Sequence, residues 1–384
     1  MKKKILVWET LGLVSGGQQM TLKVMDLLSE LYDFHCLIPT EGPLADELKK
    51  RNISYTLLGD QSMPTGVKGK SVIFRYCALS IKAILKGLSA VRREKIDMIY
   101  APGPAALPWS ALVGRLKRKP VIWHLHHVFL DGATKKLLDI CSGWKSVRQI
   151  ISVSECVASQ IQNSKAHSKI NVIHNPIDFE RFSSGNGQVV LDELGLLSEE
   201  TLIIGHIGLL QALKKQDFVL QVGRELKKRG HHVQLLFAGR ARDEDQDYVA
   251  SLHRLVEKLD LAENVLFLGQ RSDVPNLLQV LDLIMIPSFE GFPLIGLEAA
   301  SAGVPSVACA VAGAEELVRI SGCGLCFRED DVVDAANKVE QIIKFPDEYA
   351  KQGKAFACLC TNEEYQKKIS FLFEKVRKFQ RMEK

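Results

Sequence analysis

Leu283-Ile284-Met285-Ile286-Pro287-Ser288-Phe289-Glu290-Gly291-Phe292-Pro293-Leu294-Ile295-Gly296-Leu297-Glu298-Ala299-Ala300-Ser301-Ala302-Gly303-Val304-Pro305-Ser306-Val307-Ala308 opens as a strand and closes as one. Leu283–Ile286 is a short uninterrupted apolar run, the form taken by strands buried on both faces of a parallel sheet. A loop with glycine and proline follows, then a helix start carrying Glu298, then Ser306–Ala308 as the next strand. Strand, crossover helix and parallel strand form one unit of an α/β sheet.

The same alternation extends outward. Leu202–Ile207, Gln234–Ala238 and Asn264–Leu268 read as buried strands, with helical periodicity over Asp217–Arg229, Asp245–Leu259 and Val274–Leu281. Earlier in the chain, Ile5–Trp8, Asp97–Tyr100, Val121–Trp123 and Gln149–Val153 read likewise, with a helix over Gln18–Leu31. The pattern restarts near residue 201, and 384 residues are too many for one ordinary core. Two α/β, Rossmann-like, doubly wound parallel-sheet domains are therefore expected, at 1–182 and 201–362. Residues 183–200, with Ser183-Ser184-Gly185-Asn186-Gly187, read as the linker. In 363–384, Tyr365, Ile369, Leu372, Phe373, Val376 and Phe379 fall at helical spacing, predicting an amphipathic helix that packs back on the first domain. Two such domains place a cleft between them, and open α/β sheets bind ligands beyond the carboxyl ends of their strands.

Composition narrows the class. Hydrophobic residues make up 46% and charged residues 25%, as in soluble globular proteins. No stretch reaches the roughly 20 apolar residues of a membrane span, and Glu9 cuts short the apolar run behind Lys2-Lys3-Lys4 that would otherwise resemble a signal peptide. A cytoplasmic location is expected, possible peripheral contact with the inner face of the membrane included. Nine scattered cysteines argue against a disulfide framework, and Cys323-Gly324-Leu325-Cys326 reads as a turn rather than a zinc or redox site. Residues 1–180 carry a balance of +10 and residues 181–384 a balance of −5. A basic first half either faces something anionic or is an ordinary soluble surface.

Three groups of residues carry chemistry. Gly16 and Gly17 stand in a strand-to-helix turn, where backbone N–H groups can approach a phosphate, but neither the dinucleotide fingerprint nor a Walker loop is present. His124, His126 and His127 end a strand; they suit hydrogen bonding to a ligand, with a metal site or a satisfied core histidine as alternatives. Glu290 and Glu298 flank a helix N-terminus that attracts phosphate, and carboxylates accept hydrogen bonds from vicinal hydroxyls. One helix end could so hold a diphosphate between two polyol groups; a charge complement to the helix dipole is the plainer alternative.

The Pro-Ser-x-Glu-Gly-Phe…Glu-Ala…Gly-Val-Pro frame resembles the Glu-x7-Glu motif of retaining GT-B glycosyltransferases of family four, as Glu290 and Glu298. Further matches appear in the family's order: Gly16-Gly17, His126 (with His124 an alternative register), Ser152-Val153-Ser154, Asn175-Pro176-Ile177-Asp178, Gly208 through Lys214-Lys215-Gln216-Asp217, and Gly313-Ala314-Glu315-Glu316. One departure is Leu209, where the family usually has an arginine that grips the donor diphosphate.

The resemblance implies a GT-B architecture of two facing Rossmann-like domains with an inter-domain cleft. It implies transfer of a hexose or N-acetylhexosamine, with retention, from a nucleoside-diphosphate sugar, UDP favoured over GDP. A glycan or lipid-linked saccharide would accept it, in cell-surface polysaccharide synthesis, with no metal and no cofactor beyond the donor itself. Glu290, with Phe292, Pro293 and Leu294 beside it, would hold the transferred sugar, and Glu298 the ribose. Lys214, Gly208 and the Gly16-Gly17 backbone would hold the diphosphate, and His126 would position the donor sugar. The alternative that Leu209 motivates is a weakened nucleotide-sugar- or glycan-binding partner of another transferase. Since the family's first domain often takes lipid-linked acceptors, the basic amphipathic stretch at 68–95 and Arg115, Lys117, Arg118 and Lys119 suggest an anionic membrane surface as a further partner, with an ordinary surface helix covering the first sheet as the alternative. Nucleic acid is not expected, because no aromatic residues interleave with these charges.

Overall fold

The computed structural model describes residues 2–59, 70–129, 131–196 and 201–382, with the side chains at 70–77 and 379–382 excepted. The chain forms two compact units: residues 1–175 with 363–384, and residues 176–362.

The first unit is built on a seven-stranded parallel sheet. Its strands are β1 (Lys3–Trp8), β2 (Tyr32–Ile38), β3 (Ser54–Leu57), β4 (Met98–Ala101), β5 (Val121–Leu125), β6 (Val147–Ser152) and β7 (Ile170–Val172), in the order β3-β2-β1-β4-β5-β6-β7. The expected central strands β1, β4, β5 and β6 are present within a residue or two of their predicted limits. β2, β3 and β7 carried no comparable apolar run. In β2, buried His35 satisfies its ring nitrogens with Ser54 Oγ (2.8 Å) and Thr56 Oγ1 (2.9 Å) of β3, so a polar residue sits inside the sheet at an edge pair.

The helix Asn362–Met382 belongs to this unit. Its predicted stripe is buried at Tyr365, Ile369, Leu372, Phe373 and Val376, while the side chain of Phe379 lies outside the described residues. Phe373 meets Tyr32 and Tyr100 at ring-centroid distances of 6.0 and 5.5 Å.

The second unit has six parallel strands: β8 (Leu202–Ile207), β9 (Val233–Ala238), β10 (Val265–Gly269), β11 (Leu283–Ile286), β12 (Ser306–Cys309) and β13 (Gly324–Phe327), in the order β10-β9-β8-β11-β12-β13. The Cys323–Cys326 stretch expected as a turn is mostly strand β13, with Cys323 buried. Residues 183–200, expected as a linker, lie within this unit as far as they are described. Asn186 caps the helix Gly187–Leu194, and Asn186 N donates to Asn276 Oδ1 at 2.8 Å. A Cβ on Gly185 would stand 2.0 Å from Pro275 O, so this glycine serves close packing. Capping and close-packing residues share the composition of a loose linker, which explains the difference. The two crossings of the chain are tied together: Ile177 N donates to Cys360 O at 2.7 Å.

Candidate active site

In the second unit the strand order reverses between β8 and β11, the place where open α/β sheets receive ligands. Two loops leave the carboxyl ends of these strands. The first begins at Gly208 and runs to a short 3-10 turn, Ala212–Lys214. It lies against the neighbouring loop so closely that a Cβ on Gly239 would come within 1.8 Å of Gly208 O. Gln216 Nε2 donates to Leu209 O (2.8 Å), and the Lys214 carbonyl meets His206 Nε2 at 3.1 Å. Lys214 turns its ammonium to Glu290 Oε1, while Lys215 pairs with Asp330 (2.8 Å) and Glu329 (3.3 Å). Adjacent lysines are thus separated by function of place: one faces the loop after β11, the other an acidic surface pair.

The second loop holds Glu290. Ser288 Oγ donates to Glu290 Oε1 at 2.7 Å, and Gly313 N donates to Glu290 O at 2.9 Å. A Cβ on Gly313 would lie 1.8 Å from Gly291 O, so glycine is what lets the two segments touch. Buried Phe292 and Pro293 lead into the helix Leu294–Ala302, with Pro293 at its N-cap. Gly296 N reaches back to Pro293 O (3.1 Å), while the Leu294 and Ile295 amides before it have no carbonyl within their own helix to bond, leaving a partial positive charge there. Glu298 lies one turn in. Burial pushes its carboxyl up to about 7, against the opposing pull of the Arg181 charge. The predicted residues Gly208, Lys214, Glu290, Phe292, Pro293, Leu294 and Glu298 thus fall on two loops and one helix start of the same unit, with Lys214 and Glu290 in direct contact. Leu209 is half-buried.

In the first unit, Gly16 and Gly17 open the helix Gly16–Leu28 directly behind β1. Glu9, which the sequence reading used only to end an apolar run, is buried beneath this turn and accepts from Thr21 Oγ1 (2.5 Å), Gln18 Nε2 (3.2 Å) and Thr10 N (3.3 Å). Nothing in the local sequence marks it, since its partners stand up to a dozen residues away. Gly17 approaches the histidines: its Cβ would lie 3.7 Å from His127 Nε2. Of the two registers, His124 is the core residue, fully buried with Nδ1 2.6 Å from Tyr100 Oη, and His126 is half-buried just past the strand end. The two rings stand 4.0 Å apart, and neither Nε2 has a hydrogen-bond partner among the described residues. Burial holds His124 down at about 3 and His126 well below the usual imidazole range, so both are neutral near pH 7. Among the described residues no three His, Cys, Asp or Glu side chains gather as a metal set.

Comparison with known proteins assigns each half. Residues 14–181 match the family described as Glycosyltransferase Family 4, and residues 193–357 match Glycosyl transferases group 1. The chain is 24% identical over 357 residues to the UDP-Gal:alpha-D-GlcNAc-diphosphoundecaprenol alpha-1,3-galactosyltransferase of Escherichia coli, covering 89% of this chain and 88% of that one. It is 32% identical over 180 residues to the D-inositol 3-phosphate glycosyltransferase of Mycobacterium marinum, a match to 46% of this chain and 38% of that protein. The fold is that of HepE of Anabaena, solved in complex with UDP, at a TM-score of 0.81 and 21% identity over 97% of this chain and 100% of that one. With one family model on each sheet, in chain order, the protein belongs to the glycosyltransferases of GT-B fold.

Proposed function

We propose that the protein transfers a hexose or N-acetylhexosamine from a UDP-sugar to a glycan or lipid-linked saccharide, with retention at the anomeric carbon and without a metal. The observation that carries this reading is the contact between Lys214 and Glu290 across the reversal of strand order, beside a helix N-terminus with Glu298 one turn in. In the structure these two charges satisfy each other. A bound donor divides them: its diphosphate takes the ammonium and the helix amides, and its sugar hydroxyls take the Glu290 carboxylate, which Ser288 keeps aimed. Glu298 accepts from the ribose hydroxyls. The bond from C1 to the β-phosphate oxygen breaks, the acceptor oxygen bonds to C1 on the same face, and its proton passes to the departing phosphate. Lys214 stabilises the charge that develops there. Within the first unit, taken by itself, the neutral His126 imidazole is able to hydrogen-bond a hydroxyl, and the Gly16 and Gly17 amides stand at a helix start that suits a phosphate oxygen. Similarity to a galactosyltransferase whose donor is UDP-Gal, and to the fold of a UDP complex, supports the choice of nucleotide.

A panel of UDP- and GDP-sugars, followed by thermal shift and by nucleotide release with a lipid-linked saccharide present, tests the reading. UDP-sugars should stabilise the protein and release UDP. Stabilisation without release supports instead the binding partner that Leu209 motivates, and no response to any nucleotide sugar ends both. The same titration has a pH signature. Hydroxyl donors favour ionised Glu298, so its carboxyl, at about 7 when free, must lose a proton on binding. Affinity for UDP should therefore fall as pH drops, by up to about tenfold between pH 8 and pH 6, and Glu298→Gln should flatten that dependence.

We further propose that the first unit rests on an anionic lipid surface. The helices Lys70–Arg93, Ala106–Lys117 and Gly132–Ser142 pack side by side in that order. They leave Ile81 (64% exposed), Leu85 (61%) and Leu116 (58%) in solvent, with Leu137 and Ile140 also exposed. Exposed Lys82, Arg92, Lys117 and Arg118 surround them, and Leu88, Ser89, Arg92, Arg93 and Lys117 line a shallow basin. Of the basic stretch, Lys68 lies outside the described residues, as do the side chains of Lys70 and Arg75. Aliphatic tips among cations suit the interface of an acidic bilayer. Sedimentation with phosphatidylglycerol vesicles should retain the protein, and phosphatidylcholine alone should not. The combined change Lys82→Glu, Arg92→Glu and Lys117→Glu should release it; equal binding to both lipids sinks the idea.

A further inference from the structure

We propose that His206 is a positioning residue for Lys214, its imidazole holding the Lys214 carbonyl so that the ammonium faces the donor diphosphate. The inference rests on the reading of Lys214 as a donor-binding group. His206 is the fifth residue of β8, a central strand beside the reversal, and its side chain is buried. Its Nε2 lies 3.1 Å from Lys214 O. A carbonyl only accepts, so the proton is on Nε2 and the tautomer is fixed. Nδ1 is then a bare acceptor, buried and without a partner among the described residues. Burial pushes this histidine down to about 4, and the Lys214 charge pushes it the same way, so it acts as a neutral donor.

The carbonyl it holds is at a junction whose own backbone bonds, from Lys214 N to Gln211 O (2.8 Å) and from Lys215 N to Ala212 O (3.1 Å), do not use it. Lys214 ends the Ala212–Lys214 turn, and Lys215, at φ +52°, swings the chain in the left-handed region into the helix Gln216–Lys228. The first amides of that helix reach back to Lys215 O, from Phe218 (3.1 Å) and Val219 (3.4 Å), and leave Lys214 O to the imidazole. An apolar side chain of similar size would still fill the space against Phe237, whose ring lies 5.9 Å away, but would leave this carbonyl unpaired. Histidine at 206 is thus explained by its hydrogen bond and not by packing.

The experiment measures UDP affinity by calorimetry in the full chain. Glutamine carries its amide nitrogen as many bonds from Cα as Nε2, whereas asparagine is one bond short and also fills less space, a packing loss that would persist whether or not Lys214 is present. His206→Gln should bind UDP within about threefold of the parent and His206→Asn about tenfold more weakly. In a Lys214→Met background the asparagine change should cost less than about twofold, since the group it positions is gone. Equal affinity of the glutamine and asparagine variants, or an undiminished asparagine effect beside Lys214→Met, overturns the assignment. Parental UDP affinity in Lys214→Met alone has a different meaning: it removes Lys214 from the donor site and the underlying reading with it.

Discussion

Alanine in place of Glu290 is expected to lower kcat for sugar transfer by about 10²–10³-fold while leaving the melting curve nearly unmoved. The two halves of that result have separate causes. Glu290 is the one carboxylate on the loop after β11 that both Lys214 and Ser288 address, so its loss removes the group proposed to align the sugar hydroxyls and leaves Lys214 without its counter-ion. The pair is nevertheless partly open to solvent, 27% and 22% by side chain, and such pairs contribute only about 0–1 kcal/mol to folding. Initial rates of UDP release together with circular dichroism melts read both quantities. A Glu290→Ala enzyme with parental kcat would remove this residue from the chemistry altogether. Glu290→Gln should fall between, because the amide still accepts from Ser288 but carries no charge for a hydroxyl array.

The second large effect comes from a residue that would touch no substrate. Gly313→Ala places a Cβ 1.8 Å from Gly291 O and 2.4 Å from its carbonyl carbon. Backbone cannot yield as a flexible side chain can, so the Glu290–Phe292 loop must shift and the Gly313 N to Glu290 O bond must stretch. Overpacking of this kind costs about 1–3 kcal/mol, and displacement of Glu290 by an ångström should cost at least about tenfold in kcat/KM. Gly132→Ala is the matched control: it too begins a helix, yet nothing lies within 4 Å of its Cβ. If the two alanine variants melt and turn over alike, the loop is not held as described.

The sequence made some of this legible and hid the rest for identifiable reasons. Buried parallel strands such as Leu283–Ile286 announce themselves as apolar runs, and both acidic residues of the candidate site stand close enough together to be read as one motif. Edge strands such as Ser54–Leu57 are half in water and lose that signature. Gly313 was legible only as part of a segment similar to the family's, and its purpose depends on the approach of Gly291, 22 residues earlier in the chain. His206 left no trace at all: a histidine inside a strand acquires its role only when a left-handed lysine brings a carbonyl back above it. Ser183–Gly187 misled in the opposite sense, because small polar residues that cap and interlock have the composition of slack.

The path of the chain orders events at the ribosome. The second unit, 176–362, is one unbroken stretch, so each of its strands is available once that stretch has emerged. The first unit is translated earlier yet is finished later: Tyr32 and Tyr100 wait for Phe373, which follows more than 270 residues after Tyr100. During that interval the nascent amino-terminal sheet carries an uncovered aromatic seam, a surface for chaperones to shield until the last helix arrives.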